Sequence, residues 1–112
     1  MASNRNRNAG LNYERQIARE LREMGYEAIT SRYESKRLDD AGVDLVTNFP
    51  LKPQMKVSIN QPNVHILLTE TEAECVFFKK VEKVGGKFMP RGEYVMLKKQ
   101  DFYDIFVTHD KS

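Results

Sequence analysis

The chain has 112 residues, of which 40% are apolar and 30% charged, with 18 Lys+Arg against 16 Asp+Glu and a formal net charge of +2. This suits one small domain with a modest core and excludes wholesale disorder. The longest apolar runs, Ile66-Leu67-Leu68 and Cys75-Val76-Phe77-Phe78, are too short to span a bilayer, the polar start has no apolar stretch of a secretory signal, and the lone Cys75 excludes an internal disulfide and a multi-Cys zinc site, which leaves a reducing cytoplasm as the expected compartment.

Residues 1–9 are polar and rich in Asn and Arg, and read as a flexible basic arm. Residues 11–24 carry Ile17, Ala18, Leu21 and Met24 at helical spacing, and Gly25 stops the helix. Residues 27–33 read as a strand and residues 34–42 as a charged loop. Residues 43–47 form a short strand, and the prolines of residues 48–53 mark a turn. Residues 54–59 alternate polar and apolar, as a half-buried strand does. Pro62 opens a short helix to about Thr69. Residues 74–84 are rich in β-formers, Gly85-Gly86 is a turn, and residues 87–89 and 93–98 are strands around a break at Pro90 and Gly92. Residues 100–107 make a closing helix. The order predicts an α/β domain over residues 10–107, a mixed central sheet flanked by helices, followed by a short tail at 108–112.

Basic residues gather at both ends of the chain and acids between them. Arg5, Arg7, Arg15, Arg32, Lys36 and Arg37 precede Asp39, Asp40 and Asp44, while Lys79 and Lys80 follow. Basic segments around an acidic centre suit a polyanion that also meets a cation, although Lys and Arg also serve simply to solvate a small domain.

Glu14 falls on the same helix face as Ile17, Ala18 and Leu21, and so points toward the sheet. A carboxylate there must be paired, hydrogen-bonded or bound to a cation. Asp44 is flanked by apolar residues. On the next strand Gln54, Lys56 and Ser58 share one face and Met55, Val57 and Ile59 the other. If the two strands pair, Glu14, Asp44, Gln54 and Lys56 converge at one sheet edge. That set of oxygens and an ammonium suits Mg²⁺ and the hydrolysis of a phosphodiester; the plainer alternative is a partly buried ion pair between Asp44 and Lys56. His65 and His109 lack partners at metal-ligand spacing, and Cys75 reads as a buried small hydrophobe.

The segments Gly10-Leu11-Asn12-Tyr13-Glu14-Arg15, Gly42-Val43-Asp44-Leu45-Val46 and Gln54-Met55-Lys56, in that order, resemble the archaeal-type Holliday junction resolvases and their phage relatives, within the restriction-endonuclease-like PD-(D/E)xK nucleases. The resemblance covers roughly residues 8–60. It implies a restriction-endonuclease-like fold, with Mg²⁺ or Mn²⁺ held by Glu14, Asp44, Gln54 and the Met55 carbonyl. It further implies that Lys56 acts on the attacking water, that Ser31 or Ser35 assists at the scissile phosphate, and that Arg5 and Arg7 grip the DNA backbone. The expected substrate is four-way or other branched DNA, and the expected assembly a homodimer. Phe77, Phe78, Tyr94, Met96, Phe102, Tyr103 and Phe106 are candidates for its contact or for the monomer core. Two departures stand out: Gln54 replaces the commoner acid, and Val43 precedes Asp44 where the superfamily name has Pro. Gln54 motivates an alternative, a branched-DNA-binding protein of this fold with weakened or lost cleavage. A small protein–protein interaction domain is a third reading, under which no nucleic acid binds at physiological salt.

Overall fold

The structure, a computed structural model, describes the backbone of residues 2–110 and the side chains of residues 8–107. Its elements run α1 (Ala2–Glu23), β1 (Ala28–Thr30), α2 (Ser31–Glu34), α3 (Lys36–Asp40), β2 (Leu45–Thr47), β3 (Pro53–Ser58), α4 (Val64–Glu70), β4 (Cys75–Val84), β5 (Lys87–Leu97) and α5 (Lys99–Asp110). β1 and β2 pair antiparallel, with Ile29 opposite Val46. β3 and β4 run parallel, with Met55 opposite Phe77, joined by a crossover through α4. β5 returns antiparallel on β4. The expected mixed sheet flanked by helices is present, in two pieces, β1-β2 and β3-β4-β5, so β2 and β3 do not pair side by side as expected from the sequence.

α1 packs across both pieces. Tyr13, Ile17, Ala18 and Leu21 form one cluster with Ala28 of β1, Leu45 of β2 and Met55 of β3. Tyr26, Phe49, Val57 and Phe77 close its margin. Met55 and Val57 therefore face α1, which assigns Gln54 and Lys56 to the opposite face of β3, as the alternation predicts. Each aliphatic side chain fully buried here contributes about 1.5–3 kcal/mol.

The structure corrects three local expectations. Residues 2–9, read as an arm, continue the backbone of α1. Residues 34–42 are not a loop: most of them, with residues 31–33, belong to α2 and α3. Ser35 caps α3 by accepting the Leu38 N–H, and Leu38 is only half-buried, so these turns carry no apolar stripe to announce them. Pro90 and Gly92 do not break β5. It is an edge strand, where Pro is tolerated, and a bulge opposite Lys80 and Val81, next to Pro90, absorbs Arg91. The Gly85-Gly86 turn is present, both residues having positive φ. Among the described residues no helix is long and apolar enough to cross a membrane.

Asp44 lies just ahead of β2, not on it as expected from the sequence. Gly42, two residues earlier, has φ +81°, and a Cβ there would stand 2.7 Å from the Thr71 Cβ. Gly25 also has positive φ (+98°) but opens onto free space. Gly25→Ala should therefore cost about 1 kcal/mol of conformational strain, and Gly42→Ala about 2 kcal/mol or more, because Thr71 must also move. Urea denaturation midpoints measure the difference; equal costs would refute it.

Candidate metal and phosphate site

Asp44 sits where the two sheet pieces meet. Its N–H donates to the Pro53 carbonyl (2.9 Å), and its carbonyl accepts from the Ser31 N–H (2.9 Å). Its carboxylate Oδ2 accepts from the Met55 N–H at 2.7 Å. The N–H and C=O of one strand residue point to the same edge, so the Met55 carbonyl also faces the Asp44 side of β3.

Glu14 reaches the same region from α1. It is only 7% exposed. Its Oε2 accepts from Arg32 Nη2 at 3.1 Å. Burial pushes the Glu14 carboxyl up to about 7; the nearby Asp44 charge adds to the rise and the Arg32 guanidinium opposes it. Burial also raises Asp44, against the Met55 N–H and the Lys56 and Arg32 charges, which favour its ionised form. The two carboxyls, Lys56, Arg32 and Asp39 thus share one electrostatic neighbourhood. Among the described residues no ion pair joins Asp44 to Lys56; the partner that the helix-borne carboxylate takes is Arg32.

Two features suit a hard divalent ion. The first is a pair of carboxyls, Glu14 buried and Asp44 half-buried, that repel one another. The second is Gln54: its side chain is buried and its Oε1 has no hydrogen-bond partner. A buried amide oxygen without a donor is costly, and a cation would satisfy it. No group of three or more His, Cys, Asp or Glu side chains able to hold a metal occurs among the described residues. A metal here would rest on two carboxylates, an amide oxygen and the Met55 carbonyl.

The two serines differ. Ser31 is fully buried and donates its hydroxyl to the Val43 carbonyl at 2.6 Å, which makes it a brace for the strand entering Asp44. Ser35 Oγ is occupied as the cap of α3. The basic residues spread over the surface. Arg15 is exposed. Lys36 pairs with Asp40, Arg37 with Glu72, and Lys80 Nζ donates to the Ile59 carbonyl. Arg5 and Arg7 have side chains outside the described residues. Arg32 reaches the acidic cluster, an approach that its sequence position does not reveal. Its Nε is buried without a partner. Cys75 is fully buried, and burial pushes its thiol up to about 12, which leaves it inert as a nucleophile.

Comparison of the chain with protein-family models, with curated proteins and with solved structures finds no match in any of the three.

The Glu14 carboxyl titrates near 4.5 when exposed and near 7 in the fold. Between those values the unfolded chain ionises first, so this group's contribution to stability falls as pH rises through that window. In EDTA, thermal melting should show a lower midpoint at pH 8 than at pH 5.5. Glu14→Gln should flatten that slope, and an unchanged slope would show that Glu14 is not held in this environment.

Proposed function

We propose that the chain is a divalent-metal-dependent endonuclease acting on branched DNA, four-way junctions being the simplest substrate. The observation that carries the reading is the surroundings of Asp44: a half-buried carboxylate fixed by the Met55 N–H, a second carboxylate from α1 and a lysine within its electrostatic reach, and on the same strand as Met55 the partnerless amide oxygen of Gln54. Their order along the chain and their placement on a helix, a strand entrance and the next strand support a restriction-endonuclease-like version of the mixed sheet.

Glu14, Asp44, Gln54 Oε1 and the Met55 carbonyl would hold Mg²⁺ or Mn²⁺. The ion, when bound, lowers the pKa of water and screens charge on the phosphate. Lys56 orients the attacking oxygen with its ammonium and offsets the charge that builds as the P–O bond to the leaving sugar oxygen breaks. Arg32 holds Glu14 through its Nη2 and brings its positive charge to the site. Ser31 acts through the backbone, by keeping Val43 and Asp44 in place.

Cutting a two-fold junction on both strands takes two such sites, which a homodimer supplies. Phe78 is buried within the monomer, and Phe77 and Met96 are half-buried. Tyr94, Phe102, Tyr103 and Phe106 remain exposed and are the apolar surface for that contact. The setting is a prokaryotic or phage-infected cytoplasm.

A second reading has one observation in its favour. Gln54 brings no charge to the ion, and Arg32 already neutralises Glu14, so metal affinity is reduced and a junction-binding protein with little cleavage results. One assay separates the two. Labelled four-way junctions are incubated with Mg²⁺ or Mn²⁺, and nicks are mapped on all four strands. Wild type should give paired symmetric nicks, and Asp44→Asn should lose roughly a hundred-fold or more of the rate. Gln54→Glu should tighten the metal requirement about ten-fold, one added charge being worth about 1.4 kcal/mol. Tight junction binding without nicks, with cutting gained in Gln54→Glu, supports the second reading. Neither binding nor cutting removes both.

A further inference from the structure

A concavity lies beside α1, on a part of the surface that uses none of Glu14, Asp44, Gln54 or Lys56. It is a groove of about 500 Å³ between the helix and the β4-β5 hairpin. Val57, Ile59, Val81, Phe88 and Pro90 supply its apolar walls. The volume falls within the range of small-ligand sites and is enough for one nucleotide. Aliphatic and aromatic walls accept the faces of any base.

Its polar groups are sorted by what already occupies them. Gln16 donates to Glu20 and Glu93, and the Tyr13 hydroxyl also bonds Glu93. Ser58 is engaged with Asn60. Two groups remain. The Asn12 side chain is exposed at the rim and has no hydrogen bond among the described residues, so it offers both a donor and an acceptor. Lys79 lies opposite Glu93 in the ladder, yet its Nζ stands 5.7 Å over the Tyr13 ring and makes no ion pair among the described residues. Tyr13 and Gln16 engage Glu93, which leaves the Lys79 charge at the groove without a carboxylate of its own.

We propose that this groove binds a single unstacked nucleotide, with the base between the apolar walls, its edge on Asn12 and its phosphate on Lys79. The proposal rests on the nucleic-acid reading above and adds to it a place where an unpaired nucleotide at a branch leaves the stack. The same chemistry would take a free nucleotide, so the test has an arm for each source.

The full chain, labelled with ¹⁵N, is titrated separately with a short oligothymidylate, dTMP, a duplex of equal length and inorganic phosphate. Amide shifts at Asn12, Ser58, Lys79 and Phe88 with the oligothymidylate place a chain-borne nucleotide in the groove. The same shifts with dTMP alone place a free nucleotide there. Either supports the proposal, provided that inorganic phosphate does not reproduce them. Phe88→Ala and, as a variant that removes the charge and keeps most of the side chain, Lys79→Gln should each weaken single-strand binding about ten-fold, with a much smaller effect on duplex binding. If neither the oligothymidylate nor dTMP moves these amides, the groove proposal falls, and junction cutting that still depends on Asp44 leaves the nuclease reading intact. Groove shifts together with cutting indifferent to Asp44→Asn would leave the groove and remove the nuclease.

Discussion

The bond from the Met55 N–H to the Asp44 carboxylate is the constraint on which the site depends. The main chain of Asp44 ties β3 to the start of α2 through Pro53 and Ser31, and its side chain ties the same residue to β3 once more. The two sheet pieces are thereby stitched at one residue. Stitching them there leaves a carboxylate short of water and the Met55 carbonyl turned to the same edge. The hydroxyl of Ser31 on Val43 and the left-handed turn at Gly42 both serve to deliver that residue.

Around it the fold tolerates arrangements that a core built only for stability would avoid. A glutamate occupies the buried face of α1, its carboxyl raised by burial and by a second carboxyl. An amide oxygen and a guanidinium Nε–H are buried without partners. Local violations of good packing chemistry are often the mark of a functional site. Arg32 relieves part of the repulsion by pairing with Glu14, at the expense of the negative charge that a cation would seek.

α1 is the shared wall of both sites. Glu14 turns to the acidic cluster, while Asn12, Tyr13 and Gln16, on neighbouring faces, line the groove under the hairpin. A single rigid helix therefore holds a candidate reaction centre and a candidate nucleotide pocket in fixed relation. Lys79 belongs to the second; Arg32 belongs to the first. α5 stands apart, with Phe102 and Phe106 in edge-to-face contact on a largely exposed face.

The periodic elements were legible in the residues. The apolar stripe of α1, the alternation in β3 and the Gly-Gly turn each follow from local geometry, and with them the helix face that carries Glu14 and the strand face that carries Gln54 and Lys56. The short helices α2 and α3 were not legible, because neither carries an apolar stripe: α3 is held by its Ser35 cap, and α2 is a single turn that follows β1 directly. The residues alone also place Asp44 on a strand between apolar neighbours. Only the tertiary structure decided that its carboxylate takes the Met55 N–H, that Arg32 rather than Lys56 meets a carboxylate, and that the Gln54 oxygen is left alone. Those outcomes depend on how residues far apart in the chain compete for a few donors in a space without water, and no local pattern encodes that competition.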